Sequence, residues 1–162
     1  MKTLVLFGLC VLTANAAEFT QAKAGADSTG NLVVSWREIG LDPGKLYGYQ
    51  ASADVTVTYW CLETGVRHPT GKALDPVSSV SFALPSDFSA SNSGTVSGEL
   101  LLSPPPPVET CDLGYRRVLH DVTYGNVKLV EMVSPLEKEI DGVFSVLMFG
   151  KTVGSGKRLP TY

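Results

Sequence analysis

Between residues 47 and 61 (YGYQASADVTVTYWC), Tyr47, Tyr49, Ala51, Ala53, Val55, Val57, Tyr59 and Cys61 occupy every second position. Gly48, Gln50, Ser52, Asp54, Thr56, Thr58 and Trp60 fill the places between. Apolar residues with a period of two predict a β-strand with one buried and one wet face, because successive side chains of a strand point to opposite sides. The stretch is longer than the usual strand of about five or six residues, so a bulge or a crossing between sheets is expected within it.

The same alternation recurs along the chain. Residues 31–39 set Leu32, Val34 and Trp36 against Val33, Ser35 and Arg37. Residues 77–84 set Val80, Phe82 and Leu84 against Ser79, Ser81 and Ala83, and residues 94–102 carry Val96, Gly98, Leu100 and Leu102 on one side. Further strands are predicted over 116–124, with Val118, His120, Val122 and Tyr124 in one register, and over 127–133 and 143–149. Turn chemistry separates them: GLDPG at 40–44, PSDFSASNS at 85–93, Gly125-Asn126 as a bulge or tight turn, and SPLEKEIDG as a charged turn at 134–142. Residues 17–30 are small and polar and read as a loosely held arm; the polar tail from Gly150 is expected to fray. Four prolines at 104–107 cannot donate to a sheet ladder, and they read as an extended spacer passing from one sheet to another. About seven strands and no amphipathic helix predict an all-β, two-sheet antiparallel sandwich over 31–150, immunoglobulin-like in the loose sense, with a closed barrel as the alternative. Trp36 precedes both later cysteines, which departs from the antibody pattern.

The N-terminus changes the picture. Lys2, an apolar run over 4–12 and Ala14-Asn15-Ala16 have the layout of a secretory signal peptide cut after residue 16. The run falls short of the roughly 20 apolar residues that span a bilayer. The expected product is an exported chain of residues 17–162 without membrane insertion. The formal net charge of −3 becomes −4 once Lys2 is removed, which argues against nucleic acid or anionic membrane as the main partner. Cys10 leaves with the signal, and Cys61 and Cys111 remain as an even pair in an oxidising compartment, so one disulfide is expected.

Candidate chemistry is sparse. There is no G-x-S-x-G, H-E-x-x-H, P-loop or EF-hand loop, and two cysteines cannot complete a four-ligand zinc site, so neither a cofactor nor a metal is expected. His120 lies in an apolar strand register, as a core or sheet-edge histidine would. The loop 63–76 (ETGVRHPTGKALDP) is the most punctuated stretch and collects Arg67, His68 and Lys72. With Trp60 at one end of the wet strand face, these residues form the candidate ligand-binding set, since a polar strand face with an aromatic at its end suits a sugar or a protein.

SWREIGL at 35–41, Tyr59-Trp60-Cys61, Gly65, His68-Pro69 and Lys72 form a pattern with Cys111, Gly114, Leu119, Val122, Tyr124, Asn126, Val127 and Leu129. Over about 35–129 it resembles small exported β-sandwich proteins of actinobacteria and some fungi, although the Pro- and Ser-rich connectors here are longer. The resemblance implies a secreted one-disulfide domain and transfers no catalytic residue. The reading is therefore a secreted, non-catalytic binding or adaptor domain whose partner is an extracellular or cell-surface protein or a glycan. A self-assembling coat protein is the alternative, and a secreted hydrolase using His68 or His120 as base comes third.

Overall fold

A computed structural model describes residues 16–65, 71–134 and 136–148. Most of the signal segment 1–16, the tail 151–162, and Arg67 and His68 lie outside the described residues. Ten strands are found among those described, rather than seven: β1 Glu18–Ala26, β2 Leu32–Ile39, β3 Leu46–Glu63, β4 Gly71–Ala73, β5 Val77–Phe82, β6 Ser86–Ser89, β7 Val96–Leu102, β8 Tyr115–Glu131, β9 Leu136–Ile140 and β10 Phe144–Leu147. They form two antiparallel sheets. The smaller has the order β1-β2-β7; the larger is built on β3 and β8.

The ribbon of β3 and β8 is paired from Tyr49↔Glu131 to Glu63↔Tyr115. Its outer edges are assembled from short pieces. β6, β5 and β4 succeed one another along β3, and β9 and β10 along β8. The odd-numbered face of β3 is buried as its alternation predicts: Tyr49, Ala51, Ala53, Val55 and Val57 are at most 2 % exposed. They pack with Val122, Tyr124, Val127 and Leu129 of β8 against Leu32, Val34, Trp36, Val96, Leu100 and Leu102 of the smaller sheet. Each fully buried valine or leucine among them contributes roughly 1.5–3 kcal/mol of hydrophobic stabilisation.

Three expectations are corrected. Residues 18–26 are not a loose arm but an edge strand, antiparallel to β2 from Glu18↔Ile39 to Ala26↔Leu32. Small residues carry little periodicity, so a strand held by its ladder rather than by its side chains leaves a weak pattern. The separate strands expected over 116–124 and 127–133 are one, β8, interrupted by a bulge in which Asn126 takes a positive φ of 49°. Asparagine is among the few side chains that enter this left-handed region readily. The charged segment 134–142 is not only a turn: Leu136–Ile140 pairs with β8, with Glu137 and Glu139 on the wet face, a common treatment of an exposed edge.

Polar groups tie the two layers. The Tyr124 hydroxyl donates to the Gly30 carbonyl at 2.8 Å, and its pKa is pushed up to about 12, chiefly by burial. The Tyr49 hydroxyl donates to Glu38 Oε2 at 2.8 Å, joining β3 to β2. Glu131 is also fully buried and accepts from the backbone N–H groups of Val133 and Ser134 and from the Ser134 hydroxyl, closing the turn after β8. The segment carrying the four prolines leads from β7 in one sheet towards β8 in the other, and the Tyr59 hydroxyl fastens it by donating to the Pro105 carbonyl at 2.8 Å. Cys61 and Cys111 are joined as expected, with Cα atoms 5.5 Å apart.

Candidate functional site

The face of the larger sheet turned away from the smaller one carries the even-numbered residues of β3. Register sets Thr58 opposite Asp121 and Tyr59 opposite Leu119, so His120 is the extra residue of a bulge. The bulge moves Leu119 into contact with the core and takes His120 out of the register it shares with Val122 in the sequence. Its ring stacks on Trp60 at 4.5 Å between centroids and 7° between planes, and its Nδ1 lies 2.8 Å from Asp121 Oδ2. The histidine is thus held by an aromatic face and a carboxylate at once. One face of the Trp60 indole is occupied by this ring, and Gly71 of β4 sits against its benzo edge, where an added Cβ would fall 2.8 Å from Cε3.

Among the predicted contact residues, Trp60 and Lys72 are separated by the sheet itself. Trp60 pairs with Ala73 and faces outward, whereas Lys72 pairs with Cys61 and shares the opposite side. Lys72 lines a second depression of about 360 Å3 beside the disulfide, together with Glu109, Asp112 and Tyr115.

The larger depression lies elsewhere on the outer face, with a volume of about 480 Å3. Ser52 and Asp54 of β3 line its middle, Val80 and Phe82 of β5 one side, and Asn126 and Lys128 of β8 the other, followed by Glu139 and Asp141. Register explains this assembly: Phe82 stands opposite Ser52, Val80 opposite Asp54, and Glu139 opposite Lys128. The Asn126 amide donates to Asp54 Oδ2 at 2.6 Å, so the β8 bulge positions the carboxylate in the groove. Lys128 Nζ lies 2.8 Å from Glu137 Oε1 and 3.3 Å from Glu139 Oε1, and these contacts raise its pKa.

β5 has an unusual orientation. Two of its three apolar members face solvent: Val80 is 53 % and Phe82 62 % exposed, as is the adjoining Leu84 at 85 %, whereas Val77, opposite Val57, packs against the core. Ser79 and Ser81 take the core-side register, opposite Val55 and Ala53. Sequence reasoning named Trp60, the 63–76 loop and the wet face of β3, so it reached Ser52 and Asp54 but missed the walls that β5, β8 and β9 add to them. The alternation of Val80, Phe82 and Leu84 against small serines was the available signal, but it does not say which side turns outward.

No protein-family model matches the chain, and neither a curated protein nor a solved structure matches it.

Proposed function

We propose that the protein is a secreted, non-catalytic binding module that contacts an extracellular protein or glycan through the outer face of its larger sheet. The single observation that carries this reading is the outward apolar side of β5 beside a polar groove. Apolar side chains gathered at a concavity with a few fixed polar groups are the usual composition of a ligand-contact surface. The disulfide suits an oxidising compartment, and among the described residues no helix is long and apolar enough to cross a membrane.

The test is retention of the 17–162 chain by culture supernatant, by whole cells and by cell-wall polysaccharide of the producing organism, with Phe82→Ser measured in parallel. Partner recovery that falls at least tenfold in the variant supports the reading. Recovery indifferent to Phe82→Ser moves the contact surface elsewhere, and recovery of the chain alone favours self-assembly.

A further inference from the structure

Resting on that reading, we infer that the groove between β5 and β9 takes an extended polypeptide segment in which an apolar side chain lies a few residues from a lysine or arginine. The two ends of the groove differ in chemistry. At β5, Val80 and Phe82 offer more than half of their surface to solvent. At the far end stand Asp141, which makes no ion pair among the described residues, and Glu139, which shares Lys128 with Glu137. Asp54 lies between, hydrogen-bonded to an amide that leaves its charge uncompensated.

Charge selects among occupants. Three carboxylates (Asp54, Glu139 and Asp141) line the groove with one ammonium, Lys128, which Glu137 just outside the lining also engages, so the field over the groove is negative and draws in cations. A second copy docked by the same face would bring carboxylates against carboxylates, and an anionic polysaccharide would be repelled. A neutral sugar could stack on Phe82 but would leave the field unused. Dimensions favour a chain over a compact cation. The lining comes from four adjacent strands, β5, β3, β8 and β9, and three spacings of about 4.8 Å make roughly 14 Å. At about 3.3 Å per residue, some four extended residues cover that length. An apolar side chain can then meet Val80 and Phe82 while a basic one, two to four positions away, meets Asp54 and Asp141.

The experiment uses the 17–162 chain and an immobilised library of eight-residue peptides with one leucine or phenylalanine two, three or four positions from one lysine or arginine. Matched peptides carry serine or glutamate at the basic position, and neutral oligosaccharides run alongside. Affinities of the best peptides are then measured in solution at low and high salt. The expected result is binding at least tenfold tighter for basic peptides than for their serine counterparts, weakening at least fivefold in high salt. Phe82→Ser and the double variant Asp54→Asn, Asp141→Asn should each lose at least tenfold, with unchanged thermal melting as the control that both remain folded. Binding indifferent to the basic residue, or to both variants, would overturn the inference. Oligosaccharide binding that depends on Phe82, without peptide binding, would overturn it and leave the binding-module reading intact. No Phe82-dependent binding to any probe or to extracellular material would sink both.

Discussion

Glu38 is the residue with the clearest energetic signature. It is fully buried between the sheets, Tyr49 donates to one of its oxygens, and Oε1 has no partner among the described residues. Burial raises its pKa, the Tyr49 hydrogen bond works against that, and the neighbouring charge of Glu131 adds to it. The folded chain therefore holds this proton at a pH where the unfolded chain has released it. Its contribution to stability is full below the usual glutamate range and is lost as pH rises through the raised value. Denaturant titrations between roughly pH 4 and 8 should show that Glu38→Gln flattens this decline, since the amide still accepts from Tyr49 and has no charge to desolvate. An unchanged pH profile would show that Glu38 is not the responsible group. Asp27 acts in the opposite sense: hydrogen bonds, first from the Thr29 side chain, lower its pKa, so its contribution is present above the usual aspartate range and is lost as pH falls through the lowered value.

At the scale of elements, close approach and bulges decide the packing. Trp36 of β2 lies opposite Gly98 of β7, its rings 4.7 Å from Tyr49 and 5.1 Å from Phe88. A Cβ on residue 98 would fall 2.6 Å from Phe88 and 2.9 Å from Trp36, so Gly98→Ala should cost about 1–3 kcal/mol by overpacking, measured by urea unfolding. The bulge at Asn126 gives a second prediction: Asn126→Val should lose about 1–2 kcal/mol from its left-handed backbone alone, and Asn126→Gly distinctly less. Both Asn126 variants also release Asp54 and should weaken any ligand held in the groove. The Gly125-Asn126 pair was legible as a bulge or a turn, and only pairing with β3 decides for the bulge. The bulge at His120 had no comparable signal, since Val118, His120 and Val122 alternate without interruption in the sequence. It follows from fitting β8 to a partner strand more than fifty residues earlier, a fit that local preference does not encode.

Across the whole molecule the staple and the layering matter most. Cys61 and Cys111 are 50 residues apart, and in the chain-entropy account a loop of that size is worth about 4 kcal/mol. Cys61→Ser should lower the melting temperature by roughly 10 °C and remove the response to reductant; equal melting of wild type and variant would show that the bond contributes nothing. Much of this architecture was legible. The period of two along 47–61 and 31–39 determined which side chains share a face, because backbone sterics alternate side chains whatever surrounds them. The cysteine pair and the proline run likewise determined a staple and a crossing. What the tertiary structure alone decided is that Val80 and Phe82 of β5 turn away from the core, whereas β2 and β3 bury the faces that their alternation predicts. Three strands lie beneath a broader sheet; at β5, core-side Val77 and the adjoining Ala83 still reach the core, while Ser79 between them remains exposed. Val80 and Phe82 turn outward and, beside carboxylates from β3 and the β9 region, become the wall of the groove. Alternation is a local property of the chain and marked Ser52 and Asp54 as part of a wet face, whereas burial depends on strands distant in sequence, and that difference hid the walls of the groove until the sheets were assembled.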